Sequence, residues 1–241
     1  PSFGEYRRIF PDATPYFDEV GLSTETIIAQ ANAHDVVVFI NPNNPTGSTL
    51  PTAWIYEFAL THPNKIIILD ESFIEFAAEE SILPLLQENP LPNLILLKSL
   101  SKSLGVPGIR LGYLYSDHAG FIAYLKENLP IWNMNGLAEY FLEIILKHRN
   151  SLQDSFRQTI SDREQFAREL ETLPIVEKVY PSGANFILLS LTCTRAACST
   201  LVESMLLRYN IYIKEASNRF RGQTAYIRLA VRDASTNSYF V

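Results

Sequence analysis

The chain has 241 residues, of which 47% are apolar and 12% aromatic, and a formal charge of -6. That length can bury a substantial core, in one large domain or two smaller ones. Acidic and basic residues are interspersed and no apolar run nears the ~18 residues of a membrane span, which argues against a nucleic-acid stripe, a polybasic membrane patch or a spanning helix and leaves small molecules or further copies of the chain as partners.

The first half alternates strand and helix. Asp35 to Ile40 is a continuous β-branched run, Thr52 to Leu60 a short helix opening after Pro51, and Lys65 to Asp70 a second apolar strand. Leu94 to Lys98 is a third strand and Leu111 to Ser116 a fourth, followed by a helix over Asp117 to Glu127 with an acid at its start. These read as an α/β sheet buried on both faces. From Asn135 to Leu173 the apolar residues Phe141, Ile144, Ile145, Phe156, Ile160, Phe166 and Leu170 recur at spacings of three and four, which predicts long helices ending at Pro174. Beyond it, Val176 to Tyr180, Asn185 to Leu191, Tyr209 to Lys214 and Tyr226 to Val231 read as strands around one helix, Arg195 to Leu207. The organisation predicted is a first domain over 1–134, connecting helices over 135–173 and a smaller α/β domain over 174–241. Cys193 and Cys198 have no His or Cys companions at metal-ligand spacing and make no disulfide framework, so no metal site and a reducing, cytoplasmic setting are expected.

Candidate chemistry gathers where the first-half strands end, the edge at which open α/β sheets place ligands. After the first strand, Asn41-Pro42-Asn43-Asn44-Pro45-Thr46-Gly47 combines turn formers and prolines into a rigid loop able to aim an asparagine. After the second, Asp70-Glu71-Ser72-Phe73 puts an acid at a buried strand end, as a helix cap or as the partner of a cation. After the third, Ser99-Leu100-Ser101-Lys102 sets a lysine between hydroxyls, with Gly108-Ile109-Arg110 following. A lysine so placed can form an imine with an aldehyde cofactor while its neighbours hold that cofactor's phosphate; a solvated loop lysine is the plain alternative.

These four motifs, in this order, resemble the fold-type I pyridoxal-phosphate enzymes of the class I and II aminotransferases, over nearly all of the chain. The resemblance implies a three-layer large domain with a mostly parallel sheet, a small α/β carboxyl-terminal domain, and pyridoxal 5'-phosphate as cofactor. It implies that Lys102 carries the cofactor and moves a proton at the substrate α-carbon, and that Asp70 pairs with the pyridinium nitrogen. Asn44 would bond the phenolic oxygen, and Ser99, Ser101 and Arg110 the phosphate. In the carboxyl-terminal part, Arg228 of Tyr226-Ile-Arg-Leu-Ala-Val-Arg232 matches the arginine that grips the substrate α-carboxylate, and Asn185 a residue near the substrate, although Pro181 to Phe186 reads equally well as a turn into a strand. Arg219, Arg221 and Arg232 add charge that would suit a phosphorylated substrate.

Phe73 stands where many members have tyrosine, and Asp-Glu-x-Phe-Ile-x-Phe resembles the branch that joins histidinol-phosphate aminotransferase to the threonine-phosphate decarboxylase of cobalamin synthesis. The expected function is therefore that of a histidinol-phosphate-aminotransferase-like enzyme on an amino or amino-phosphate substrate. Threonine-phosphate decarboxylation is the alternative, and a non-catalytic module keeping the fold is a third reading that needs none of Lys102, Asp70, Asn44 or Arg110. The opening Pro1 to Tyr6 resembles a segment well inside the family's large domain, so the family's amino-terminal portion is expected to lie outside these residues, as is a final helix beyond the Arg228 strand. A homodimer is expected of the full-length protein.

Overall fold

The computed structural model describes residues 3–18 and 21–241, so the opening motif is described only from Phe3. Contacts divide the chain into two units, one comprising 23–42 and 49–156, the other comprising the residues up to Leu22, Asn43–Ser48 and Arg157–Val241. In sequence the main division falls between Phe156 and Arg157, and the loop 43–48 and the first residues group with the carboxyl-terminal part.

The first unit is built on a sheet of β1 (Val36–Ile40), β2 (Ile66–Asp70), β3 (Leu94–Ser99) and β4 (Gly112–Tyr115), in that order. β1, β2 and β3 are parallel and β4 is antiparallel to β3. Phe39, Ile67, Leu69, Leu94 and Leu96 are fully buried, so the β-branched and leucine-rich runs fold as core strands. Burial is graded along them: Val36 and Ile66 at the amino ends are 43% and 48% exposed. The helix Thr52–Thr61 stacks Phe58 edge-on to Phe39, with ring centroids 5.4 Å apart. Gly112 is required by its pairing with Ser99, since a Cβ there would meet the Lys98 carbonyl oxygen at 2.7 Å.

The second unit carries an antiparallel sheet of β5 (Val176–Val179), β6 (Phe186–Leu191), β7 (Lys214–Glu215) and β8 (Ala225–Ala230), ordered β5-β6-β8-β7. β6 is buried throughout; Ile187, Leu189 and Leu191 of β6 pack with Phe166 and Leu170 of the helix Arg149–Leu170 and with Ile227 and Leu229 of β8.

Three expectations change. The helix read from Asp117 is Ala119–Asn128, capped by His118, whose Nδ1 accepts from Phe121 N at 3.0 Å, while Asp117 accepts from the Tyr115 hydroxyl. The strand read over Tyr209 to Lys214 shrinks to Lys214–Glu215: Tyr209 ends the helix Arg195–Tyr209, Asn210 turns left-handed at φ 56°, and Ile213 fills the core without joining a ladder. A helix the sequence reading placed outside the chain, Ala234–Phe240, follows β8, with Asp233 accepting from Thr236 N at 3.0 Å. Among the described residues, no helix is long and apolar enough to cross a membrane.

A buried charge cluster gathers at the carboxyl ends of β2 and β3. Lys98 pairs with Glu75 at 2.5 Å, and fully buried Glu71 accepts from the Ser81 hydroxyl and from Ile82 N at 2.8 Å. Burial is the largest influence on Glu71 and pushes its carboxyl above the usual range, outweighing those hydrogen bonds and the Lys98 charge. A raised folded-state value means stability that is present below the ordinary carboxyl range of about 4.3 and lost as pH rises through the raised value. Glu71→Gln keeps the shape and removes that titration, so its melting temperature relative to the parent should climb as pH is raised from that range to neutrality. Parallel melts across this window check the slope, and a constant difference contradicts it.

Candidate active site

The parallel register sets Asp70 opposite Leu97, so β2 and β3 end beside each other. Ser72 then folds back on the strand end: its N–H and its hydroxyl both donate to Asp70 Oδ1, at 3.0 and 2.5 Å, and the same hydroxyl oxygen accepts from Ser99 N at 3.2 Å. Ser99 caps the single helical turn Leu100–Ser103, its Oγ accepting from Ser101 N at 3.4 Å. Lys102 sits on that turn with an exposed side chain. Leu100 N donates to Leu111 O at 2.9 Å, which ties the turn to the residue after Arg110. Arg110 is left-handed at φ 56° and exposed, and its Nη1 donates to Pro107 O at 3.2 Å. The first unit therefore brings Asp70, Ser99, Ser101, Lys102 and Arg110 onto adjoining segments at the carboxyl ends of β2 and β3.

Their chemistry fits the expected cofactor on one specific point. Ser101 is buried, and its hydroxyl oxygen has no hydrogen-bond partner, a state that costs about 1–3 kcal/mol and that an incoming phosphate oxygen would relieve. Next to it in sequence, Lys102 would supply an amine for an aldehyde, and Asp70 would offer a carboxylate to a ring nitrogen.

The second unit holds Asn44, Asn185 and Arg228. Arg228 lies on β8 between Leu188 and Lys214 in register. Its Nη1 donates to Asn44 Oδ1 at 2.7 Å, its guanidinium carbon is 4.9 Å from the Phe186 ring centroid, and its buried Nε has no partner. Burial first, and the Arg219 charge second, hold this guanidinium below its ordinary value. A partly desolvated guanidinium with an unused donor and a like-charged neighbour would suit an anion. Asn185 immediately precedes β6, where its carbonyl accepts from Val231 N at 3.0 Å.

Asn44 is delivered by a loop anchored at residue 18. Asp18 is 6% exposed, and its Oδ2 accepts from Asn43 Nδ2 at 2.8 Å, from Thr46 Oγ1 at 2.5 Å and from the Ser48 hydroxyl. Gly47, at φ +75°, lies so close to Ser182 that a Cβ would be 2.9 Å from its Cα, and Gly47 O accepts from Gly183 N at 2.7 Å. Sequence reasoning found the loop and missed the anchor, because no local pattern links Asp18 to residues 25 or more positions later. It also missed Ser72, although a serine two residues after an aspartate is a recognisable turn pattern.

Residues 17–241 match the family Aminotransferase class I and II. The chain belongs to that family. The family is enzymatic and depends on pyridoxal phosphate. Among curated relatives, the L-serine phosphate decarboxylase of Sulfurospirillum multivorans is 36% identical over 219 residues, covering 86% of this chain and 54% of the relative. A histidinol-phosphate aminotransferase of Flavobacterium psychrophilum is 30% identical over 196 residues, covering 80% and 53%. The chain thus spans about half the length of these relatives. The crystal structure of the histidinol-phosphate aminotransferase from Clostridium acetobutylicum superposes with a TM-score of 0.88 at 27% identity, over 99% of this chain and 73% of that one. The three-layer transferase fold and the family expected from the motifs are both met.

Asp18→Ala removes the acceptor of three side-chain donors in a buried setting and should cost about 1–3 kcal/mol in urea unfolding. Amide exchange at Gly47, whose N–H donates to Asn43 O, should accelerate in the variant while exchange along β2 stays unchanged. Equal acceleration in both places would mean that Asp18 acts on global stability and not on the loop.

Proposed function

We propose that this chain is part of a pyridoxal-phosphate-dependent enzyme that binds an amino substrate through its α-carboxylate and rearranges bonds at the α-carbon. The observation that carries the reading is Arg228, a half-buried guanidinium whose buried Nε has no partner and whose Nη1 donates to Asn44. When bound, the cofactor supplies an electron sink for the electrons released at the α-carbon. Lys102 is the residue that anchors it and carries the proton to and from the substrate. Asp70 pairs with the ring nitrogen and keeps it protonated, and Ser99, Ser101 and Arg110 hold the phosphate. Asn44 serves both the phenolic oxygen and Arg228, and Asn185 lines the substrate. In this reading residues 1–134 form part of the cofactor-binding domain, 174–241 a small substrate-facing domain, and the full-length protein is a cytoplasmic homodimer.

Transamination of a histidinol-phosphate-like substrate is the first reading, supported by the 0.88 TM-score to the Clostridium enzyme. Decarboxylation of a phosphorylated amino acid is the second, supported by the 36% identity to the serine phosphate decarboxylase and by Phe73, which removes a phenolic hydroxyl from the cofactor's surroundings. Which bond lies perpendicular to the cofactor ring decides between them. Either substrate is phosphorylated, which accords with Arg219 beside Arg228.

The full-length protein incubated with pyridoxal phosphate should show a visible absorption band that Lys102→Ala abolishes; a colourless parent protein overturns the assignment. Carbon dioxide released from serine or threonine phosphate without an oxo-acid acceptor selects the decarboxylase, whereas turnover of histidinol phosphate that requires 2-oxoglutarate selects the aminotransferase. Arg228→Lys, which keeps the charge and loses the planar fork, should raise KM for the carboxylate substrate about 10- to 100-fold with a smaller effect on kcat.

A further inference from the structure

We propose that Ser72 is a positioning residue for the cofactor, fixing the Asp70 carboxylate and coupling it to the phosphate-holding turn at Ser99. The proposal rests on the cofactor reading above and adds a residue to it. Two donors from one residue converge on Asp70 Oδ1, the Ser72 N–H at 3.0 Å and its hydroxyl at 2.5 Å. A turn that reverses the chain after a strand needs only the first of these. The hydroxyl does more: while it donates to Asp70, its oxygen accepts from Ser99 N at 3.2 Å. Ser99 in turn receives Ser101 N on its own Oγ. The result is an unbroken relay from the acid at the end of β2 to the turn that carries Ser101 and Lys102.

The relay orients as well as holds. A carboxylate at a strand end is free to rotate about its Cβ–Cγ bond unless donors fix it, and two donors on a single oxygen fix that rotation. Pairing with a ring nitrogen demands such a fixed carboxylate, because charge-assisted hydrogen bonds weaken steeply as the angle departs from linear. Serine is suited to the position because its hydroxyl donates and accepts at once. Alanine keeps the backbone donor, loses the hydroxyl, and leaves Ser99 N without its acceptor.

The test uses the full-length parent protein, Ser72→Ala and Ser72→Thr. Each is titrated with pyridoxal phosphate, the pH midpoint of the resulting visible band is measured, and each is melted without cofactor. Loosening Asp70 would weaken its hold on the ring nitrogen, and with it the positive charge that would keep the pH midpoint of the bound cofactor's visible band low. Ser72→Ala should therefore bind the cofactor about fivefold more weakly and move the midpoint up by about half a unit. Ser72→Thr, which restores the hydroxyl, should return both values toward the parent. If Ser72→Ala does not fold, Ser72→Cys, isosteric with a weak donor, carries the same comparison. A coloured parent with unchanged affinity and midpoint in the variants overturns the role of Ser72 alone, as does a variant that melts earlier without cofactor yet keeps the parental midpoint. A colourless parent overturns the cofactor reading and this proposal together.

Discussion

Parallel pairing of β2 with β3 is the constraint on which the chemistry of the first unit depends. Hydrogen bonds between parallel strands fix register without a turn, so the point at which each strand stops is decided by the ladder itself. Asp70 faces Leu97, and two residues beyond Leu97 the chain reaches Ser99. An acid and a hydroxyl-rich turn, separated in sequence by the segment 71–98, thereby begin within hydrogen-bonding reach through Ser72. A slip of one residue would reverse the facing of every side chain on β3 and bury Ile95 and Leu97 in place of Leu94 and Leu96. The fully buried pair Leu94 and Leu96 is what forbids that slip.

The second unit holds an arginine half out of water. Arg228 is surrounded by the Phe186 ring, the Asn44 amide oxygen and the charge of Arg219. One neutral acceptor is poor compensation for a desolvated guanidinium. An arginine in this condition would favour an anionic ligand, as the proposed substrate carboxylate is. Glu71, which follows Asp70 in the first unit, is the opposite case: fully buried, its carboxyl accepts from Ser81 and Ile82.

Most of the fold was legible because its strands are runs of branched apolar residues bounded by turn formers, and the sheet ends where those runs end. Val36–Ile40, Ile66–Asp70 and Leu94–Ser99 differ from the expected spans by a residue at most. The failures were local competitions. Ile211 and Ile213 alternate as a strand would, yet their apolar surface packs on the core while Asn210 stops the preceding helix, and only Lys214–Glu215 reaches the ladder. The acid of Asp117 was a plausible cap, but the His118 ring nitrogen took the position one residue later. For the candidate site, motif order disclosed the residues of adjoining segments; it could not disclose Asp18 or the arrest of Arg228 by Asn44, because both join residues far apart in sequence.

The three donors gathered by Asp18 have a consequence for dissecting this protein. The loop 43–48 is inserted in the sequence of the first unit, yet its order is written in a carboxylate that precedes that unit entirely. A minimal fragment trimmed to begin at the helix Thr24–Ala31 would preserve every strand of the parallel sheet and discard the anchor of the loop that presents Asn44. Autonomy of folding and order of the loop therefore have different boundaries here, and a domain excised by its sheet alone would pass tests of structure while lacking the means to hold the Asn44 loop in place.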